Sequence, residues 1–490
     1  MASNPSPGDS TSGNEAKRAA RVIPITDVSS DEGDLYAARK KIQPRSIKGR
    51  FNNVRWAMVW ITQIVFYGLA WLPWNDRQAV LFHLVERKFY IFGIVLWPQD
   101  VLFLALLLII SALGLFLVTA VAGRVWCGYA CPQSVYTEIF MWIERHIEGD
   151  RSARMKLDAA PMSARKLGLR AAKFGAWGAL ALWTGFTFVG YFTPIRELAS
   201  EIASWSLGPW EAFWMFFYAA FTYVFAGHMR EQVCKYMCPY ARFQGVMFDP
   251  DTLIVSYDAN RGEPRGNKKK AREGQVVGDC VDCDWCVQVC PTGIDIRNGL
   301  QYECIGCALC IDACDQVMDK VGRPRGLIAY TTERTLLAKK PAHEGWREVM
   351  AHILRPRVIL YTSLLALIVS GFAWALFTRT PVKMNVLRDR ATLAREVEGG
   401  KIENVYRLRI MNTSEVARRY VLEVEGLPGA AIADLREIEV EAAGSRDIAA
   451  RVQVDAEALQ PGSHEIYFNL QAVDAPDVRV HEKTSFLQPR

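Results

Sequence analysis

Gly278-Asp279-Cys280-Val281-Asp282-Cys283-Asp284-Trp285-Cys286-Val287-Gln288-Val289-Cys290-Pro291 is followed, after a short connection, by Glu303-Cys304-Ile305-Gly306-Cys307-Ala308-Leu309-Cys310-Ile311-Asp312-Ala313-Cys314-Asp315. Cys280, Cys283, Cys286 and Cys290 obey C-x2-C-x2-C-x3-C, and Cys304, Cys307, Cys310 and Cys314 repeat that spacing. Three thiolates at successive two-residue gaps let one tight loop wrap three corners of a cubic iron-sulfur cluster, and the fourth, set further off, suits a different cluster. The ligand sets are therefore expected to cross over. Cys280, Cys283, Cys286 and Cys314 would hold one 4Fe-4S cluster, and Cys304, Cys307, Cys310 and Cys290 the other. Zinc competes for the same residue type, but structural zinc usually takes separated C-x2-C pairs or Cys/His sets, and no histidine lies between Cys280 and Cys314. A disulfide framework does not explain a doubled run of this regularity. Pro291 follows the first run and Asp315 the second; proline shapes the turn and is not a ligand.

Around this stretch lie 490 residues, enough for about three domains. A hydrophobic share of 51%, an aromatic share of 11% and 15 Trp lean towards a membrane, whereas a mean hydropathy of only +0.04 requires a large soluble portion. The formal charge of +6 is small and its distribution says more than its size. All 12 Cys fall between Cys127 and Cys314, and those outside the doubled run form two C-x3-C-P pairs.

Residues 1–38 read as a disordered cytoplasmic tail, rich in Ser, Pro, Gly, Asp and Glu as far as about Gly33. No apolar stretch near the N-terminus reads as a cleavable signal peptide. Arg39, Lys40, Lys41, Arg45, Lys48, Arg50 and Arg55 then abut the first long apolar run. Residues 39–240 are expected to form a membrane domain with four spans, at 54–72, 101–123, 174–192 and 209–227, and a fifth is expected at 358–377. Each approaches the roughly 20 helical residues that cross a hydrocarbon core. Trp56, Trp71, Trp74 and Trp97 sit at span ends, as interfacial aromatics do. Gln78 to Trp97 carries Glu86, Arg87 and Lys88 amid apolar residues, which predicts a segment on the membrane surface.

Lys and Arg crowd Arg39–Arg55, Arg145–Lys173 and Arg230–Arg357, whereas Thr193–Leu207 holds only Arg196. The positive-inside rule then places the N-terminus and the cluster-bearing insert, residues 241–345, in the cytoplasm and residues 381–490 outside. Free thiols and oxygen-sensitive clusters belong in the reducing compartment, which agrees. The spans contain no His to supply two axial haem ligands, which argues against a haem wire across the bilayer.

An internal repeat sits within this topology. Trp126-Cys127-Gly128-Tyr129-Ala130-Cys131-Pro132-Gln133 and Val233-Cys234-Lys235-Tyr236-Met237-Cys238-Pro239-Tyr240 each follow an even-numbered span. Each half is thus two spans ending in C-x-Y-x-C-P, a parallel repeat about an axis along the membrane normal. Two Cys at i and i+4 would share one helix face, and the proline after the second would start a new helix or kink the old one. One such pair alone reads as small apolar residues packed between helices. Two at equivalent places point to a redox-active or soft-metal site with copper, a disulfide or further iron as its occupant. Met237, His228 and Met229 are candidate additional copper ligands, against the plainer reading of a helix-filling Met and a span-end His.

Beyond Thr380 short alternating runs, such as Tyr406–Ile410, Tyr420–Val424, Glu437–Val440 and Glu465–Leu470, are separated by Gly426, Pro428, Gly444 and Pro461-Gly462. About seven strands in roughly 100 residues suit an immunoglobulin-like sandwich without its disulfide, working as a protein contact surface or a stabilising cap. Asn412-Thr413-Ser414 matches a glycosylation sequon by chance. The expected fold class is a multi-domain membrane protein: a five-helix α transmembrane region, an inserted two-cluster bacterial-type ferredoxin domain (α+β), and a C-terminal all-β immunoglobulin-like sandwich.

The runs beginning R-W at Arg55, W-N-D-R-Q-A-V at Trp74, R-K-F-Y-I-F-G at Arg87, W-P-Q-D at Trp97, G-R-V-W-C-G-Y-A-C-P-Q at Gly123 and P-T-G-I-D-I-R-N-G-L-Q-Y-E-C at Pro291 resemble the cytochrome c oxidase accessory protein family, known as CcoG, FixG or RdxA. The resemblance covers about Arg55 to the C-terminus, and Asp315 belongs to its pattern. It implies a polyferredoxin of the bacterial inner membrane that reduces Cu(II) to Cu(I) for the cbb3-type oxidase. The catalytic thiols would be Cys127, Cys131, Cys234 and Cys238, with two 4Fe-4S clusters as cofactors and copper at the thiols. Implied partners are membrane lipid, a cytoplasmic electron donor, a copper exporter or chaperone and oxidase assembly factors, with homo-oligomers compatible and nucleic acid not expected. Two other readings are a quinol-linked conduit to a periplasmic reductase and a non-catalytic assembly scaffold.

Overall fold

From Val101 to Ala122 every residue but Ser111 and Thr119 is apolar or glycine, and the whole stretch forms one helix, α2. The computed structural model describes residues 42–266, 276–338, 354–389, 394–433 and 437–489; the expected disordered tail lies outside them. Among the described residues two helices are long and apolar enough to cross a membrane, the 25-residue Pro98–Ala122 and the 22-residue Pro356–Phe377. The other three expected spans are also helical. The first is α1 (Arg50–Leu69); the third lies in α6 (Ala164–Val189), which starts earlier and takes in Arg165, Lys166, Arg170 and Lys173. The fourth is α8 (Pro209–Thr222), prolonged by a π-helical stretch at Tyr223–Met229.

The chain divides into two compact units, one of residues 1–62, 115–179 and 222–359 and the other of residues 63–114, 180–221 and 360–490. In the first, α3 (Val125–Tyr129), α4 (Pro132–Glu148) and α5 (Arg151–Ala159) follow α2, and a second π-helical stretch (Val233–Met237) leads into α9 (Pro239–Met247). The cysteine-rich insert follows: β6 (Ile254–Tyr257), α10 (Ala259–Gly262), α11 (Trp285–Gln288), α12 (Leu309–Val321) and β7 (Ile328–Thr331), with β6 and β7 antiparallel. Its core joins Val255, Ile296, Ile311, Met318, Leu327 and Ile328 to Cys280 and Cys286.

Buried charge organises the same unit. Glu144 of α4 is fully enclosed and meets Arg154 and Arg230, each at 3.0 Å, while Glu148, one helical turn on, meets Lys173 at 2.9 Å. Burial alone would raise the Glu144 carboxyl, but Arg230, Arg154 and Lys173 outweigh it and hold it below the usual carboxylate range. Removing one partner from such a network leaves charge uncompensated, a far larger penalty than losing a surface pair.

In the second unit, Gln78–Trp97, the segment expected on the membrane surface, folds as short strands. It forms the antiparallel strands β3 (Val80–His83), β4 (Lys88–Ile91) and β5 (Ile94–Leu96), whose Leu81, Tyr90 and Val95 pack with Trp97 around Met411. The alternation that allows this is short, and the charges at Glu86, Arg87 and Lys88 occupy the turn and the start of β4. The C-terminal region is a two-sheet sandwich. One sheet carries β10 (Lys401–Asn412) between β8 (Val382–Arg388) and β14 (Ser445–Asp455), and the other carries β11 (Arg418–Glu425) beside β15 (Gly462–Ala472). Tyr406, Leu408, Ile410, Val452, Phe468 and Phe486, all fully buried, fill the space between, as inward-facing alternate residues of a sandwich should. Asn412 is also fully buried, and its amide donates to the carbonyl oxygens of Val416 at 2.8 Å and Glu441 at 3.1 Å, a structural duty that suits the chance reading of its sequon.

Candidate redox and metal site

Left-handed backbone closes the cysteine loops. Asp282 and Asp284, each at φ 56°, flank Cys283, and Ala308 stands at φ 60° before α12. Each loop therefore curls and then enters a helix, so α11 carries Cys286 while α12 carries Cys310 and Cys314. No described cysteine is in a disulfide. Burial, then Cys286, Asp315, Cys280 and Cys283, push the Cys314 thiol up to about 12. Burial, with Cys290 and Cys307 adding, pushes Cys304 up to about 12, and Cys310 feels Cys307, Cys304 and Cys290 in the same sense. Each run's fourth cysteine thus lies among the first three of the other run. Cys290, Cys304, Cys307 and Cys310 line one small cavity, which Cys286 also borders.

This donor set suits iron-sulfur clusters. Burial drives the thiols towards their neutral form, and the positive charge of iron is what would hold them as thiolates. Among the described residues no group of three or more Cys, His or carboxylate side chains is arranged to hold a single metal ion. Cys283 is the one exposed member of the eight.

The two C-x3-C-P pairs do not share a helix face as expected. Cys127 lies in α3 but Cys131 caps α4, and Cys234 lies in the π-helical stretch but Cys238 caps α9. The cause is the proline at the first position of the new helix, which disfavours helical backbone before it: Cys131 is extended at φ −61°, ψ 128° and Cys238 at φ −79°, ψ 110°. Extending the capping cysteine still brings all four thiols together. Cys127, Cys131, Cys234 and Cys238 line one cavity of about 140 Å³. The repeat is legible in the backbone too. Gly123 and Arg230, each four residues before the first cysteine of its pair, both take positive φ, at 55° and 46°.

Burial, with Cys131 adding, pushes Cys127 up to about 11, and burial with Cys131 and Cys127 pushes Cys234 up to about 12. The Cys127 thiol donates to Gln244 Oε1 at 3.3 Å. Met237 is 51% exposed and does not line the cavity. His228 borders a separate cavity of about 330 Å³ with Lys173, Phe174, Trp177 and Arg230, so neither residue joins the thiols.

The four-thiol cavity, lined also by Tyr302, Glu303 and Ile305, abuts the second cysteine loop. A Cβ on Gly128 would lie 2.9 Å from the Ile305 oxygen and 3.0 Å from the Cys307 Cα, so only glycine lets the two backbones approach. Tyr129 donates to the Cys307 oxygen at 3.2 Å. Arg124 donates to the oxygens of Tyr302, Cys304 (3.2 Å) and Ala241 (3.1 Å). Sequence reasoning missed Gln244, which no motif marks; Arg124 and Gly128 lie inside the run from Gly123 but carry no ligand signature.

Three family models match this chain: a 4Fe-4S dicluster domain over residues 229–333, a 4Fe-4S binding domain over residues 104–149, and the immunoglobulin-like fold at the C-terminal of FixG over residues 372–489. The nitrogen fixation protein FixG of Rhizobium meliloti is 43% identical over 445 residues, 85% of this chain and 83% of that one. Protein RdxA of Cereibacter sphaeroides is 43% identical over 406 residues, 81% of this chain and 84% of its own, and protein RdxB of the same organism is 41% identical over 409 residues, 82% and 85%. Identity of this extent, with iron-sulfur and immunoglobulin-like domains matched in the same chain, makes it a member of the FixG/RdxA family and an iron-sulfur electron-transfer protein.

Proposed function

We propose that this protein is a membrane-bound cupric reductase, which takes electrons from a cytoplasmic donor and passes them to copper at Cys127, Cys131, Cys234 and Cys238, for delivery to the cbb3-type oxidase. The observation that carries this reading is one cavity lined by all four thiols, beside the point where the Gly128 backbone packs against Ile305 and Cys307 of the second cysteine loop. Two 4Fe-4S clusters, when bound by the eight cysteines in crossed sets, supply single electrons. The protein's own residues then set the order. Cys283, the exposed ligand, gives a donor access to the first cluster, and Gly128 closes the distance between the second loop and the thiol cavity. One electron per Cu(II) yields Cu(I), whose soft character suits thiolate ligands, whereas Cu(II) prefers nitrogen and oxygen.

The membrane arrangement belongs to the same proposal. Helices stand at all five expected places; α2 and the helix Pro356–Phe377 are long and apolar enough to cross a membrane, and outward-facing Trp60, Ile64, Trp183, Phe213 and Phe216 on the others support the remaining three spans. The Lys and Arg distribution favours a cytoplasmic cluster domain and a periplasmic sandwich.

The test begins with anaerobic reduction of the purified protein. Cu(II) is then added while cluster bleaching and Cu(I) formation are followed together. Stoichiometric reoxidation with Cu(I) appearing is expected, and a variant with all four thiols replaced by Ser should retain its clusters and lose the reaction; full reduction by that variant overturns the site. A quinol-linked conduit is the second reading, favoured by the flat aromatic walls that Phe174, Trp177 and His228 give their cavity. It predicts cluster reduction by a short-chain quinol, which the cupric reductase does not need.

A further inference from the structure

Pro239, Phe243 and Val246 stand four and three residues apart, so α9 carries them as one stripe. All three are exposed, Phe243 at 61% and Val246 at 84%, and exposed Tyr236 and Met237 lie just before the helix. The other face of α9 turns inward. Ala241 and Gln244 are buried there, and with Tyr240 they line the four-thiol cavity. An exposed apolar stripe backing a cavity of this kind marks an interaction surface.

Contacts with α2 identify what covers it. The Tyr240 hydroxyl donates to the Leu115 oxygen at 3.2 Å and meets Thr119 Oγ1 at 2.7 Å, and the Gln244 amide donates to the same Thr119 oxygen at 3.5 Å. Leu115 and Thr119 belong to α2, one of the two helices long and apolar enough to cross a membrane. A charged layer meets α2 nearer its C-terminal end. There Arg355 donates to the Ala120 oxygen at 3.0 Å and pairs with Asp249 at 2.6 Å, while the Leu253 N–H donates to the Val121 oxygen at 3.2 Å. Five residues lead from Leu115 to Ala120, so the Tyr240 hydroxyl stands roughly 7 Å deeper along the helix than the charged layer. Amphipathic helices that lie in a membrane interface bury their apolar face to a similar depth, about 5–10 Å.

We propose that α9 is an interfacial helix whose Pro239, Phe243 and Val246 face is covered by the acyl chains of the adjoining lipid leaflet, so that the bilayer itself backs one wall of the four-thiol cavity. The proposal rests on the reading of α2 as a membrane span. It brings to the membrane a helix that the sequence assigned in large part to the cytoplasmic cluster domain. Arg242 fits this placement. It is exposed beside the stripe, and its guanidinium carbon lies 5.5 Å from the Tyr302 ring, as suits a side chain whose stem follows apolar surface while its cationic tip reaches the headgroups.

The test uses the full-length, cluster-loaded protein in lipid nanodiscs containing a phospholipid that carries a diazirine on its acyl chain. After illumination, adducts are located by peptide mass spectrometry, and a parallel sample is footprinted with hydroxyl radicals. Acyl adducts are expected on Phe243 or Val246 as well as on the outward-facing Leu104, Leu107 and Leu108 of α2, with loss of radical modification at Phe243 despite its exposure. Adducts on α2 with none on α9 overturn the proposal. In that case a Phe243 that radicals modify faces water, and a shielded one is covered by protein, whether a second copy of this chain or another partner. Absence of adducts from α2 overturns the span reading itself, a separate outcome.

Discussion

The carboxylate of Asp312, two residues before Cys314, accepts a hydrogen bond from the backbone N–H of Asn52 at 2.8 Å, and its other oxygen accepts from Phe51 at 3.2 Å. Asp312 thereby caps the start of α1 from a different element, satisfying N–H groups that a helix end cannot satisfy itself. The negative charge also suits the positive end of the helix. Asp312→Ala should lower stability by about 1 kcal/mol or somewhat more. Thermal denaturation in detergent checks it, and an unchanged transition would show the cap to be idle.

Arg230 stands at φ 46°, where its counterpart in the repeat is Gly123. Its backbone is held there because Nε donates to the Gly227 oxygen at 2.9 Å while Nη2 meets Glu144. Arg230→Gly and Arg230→Ala both forfeit those contacts, but only glycine relaxes at positive φ. The alanine variant should be the less stable by about 1 kcal/mol. Equal stabilities would mean that the backbone strain is illusory.

Alkylation reads the thiol environment. An ordinary thiol ionises near about 8.5, whereas burial raises Cys127 to about 11 and Cys234 to about 12. A raised value means that the neutral, unreactive form persists as pH climbs. Metal-free protein should therefore react slowly at these two positions at pH 8, with rates growing up to and beyond pH 10. By the same linkage its stability should fall as pH rises above about 8.5, where the unfolded chain ionises first. Reaction rates that level off near pH 9 contradict this.

Crossed ligation separates two variants that otherwise look alike. Cys314→Ser should remove the cluster of Cys280, Cys283 and Cys286, and Cys290→Ser that of Cys304, Cys307 and Cys310. Electron paramagnetic resonance of the reduced proteins should show a different surviving centre in each. Loss of the same centre from both variants excludes the crossing.

Much of this was legible in the chain because it depends on local chemistry. The cysteine spacing determines which loops can wrap a cluster, and alternation from Tyr406 to Ile410 and from Glu465 to Leu470 marks strands that bury one face. The β-hairpins at Val80–Leu96 were hidden because their strands are too short for a clear period. The break between Cys127 and Cys131 was half visible: Pro132 announced a new helix, yet the capping conformation of Cys131 depends on where the chain turns. Arg124 could not be recognised at all, since the carbonyls it bonds, those of Tyr302, Cys304 and Ala241, lie more than a hundred residues along the chain.

The four-thiol cavity takes one pair of walls from each half of the internal repeat. During synthesis Cys127 and Cys131 leave the ribosome well before Cys234 and Cys238, and a half-made chain offers only two thiols with no enclosure around them. Folding of the second half is therefore the condition under which the cavity comes into being.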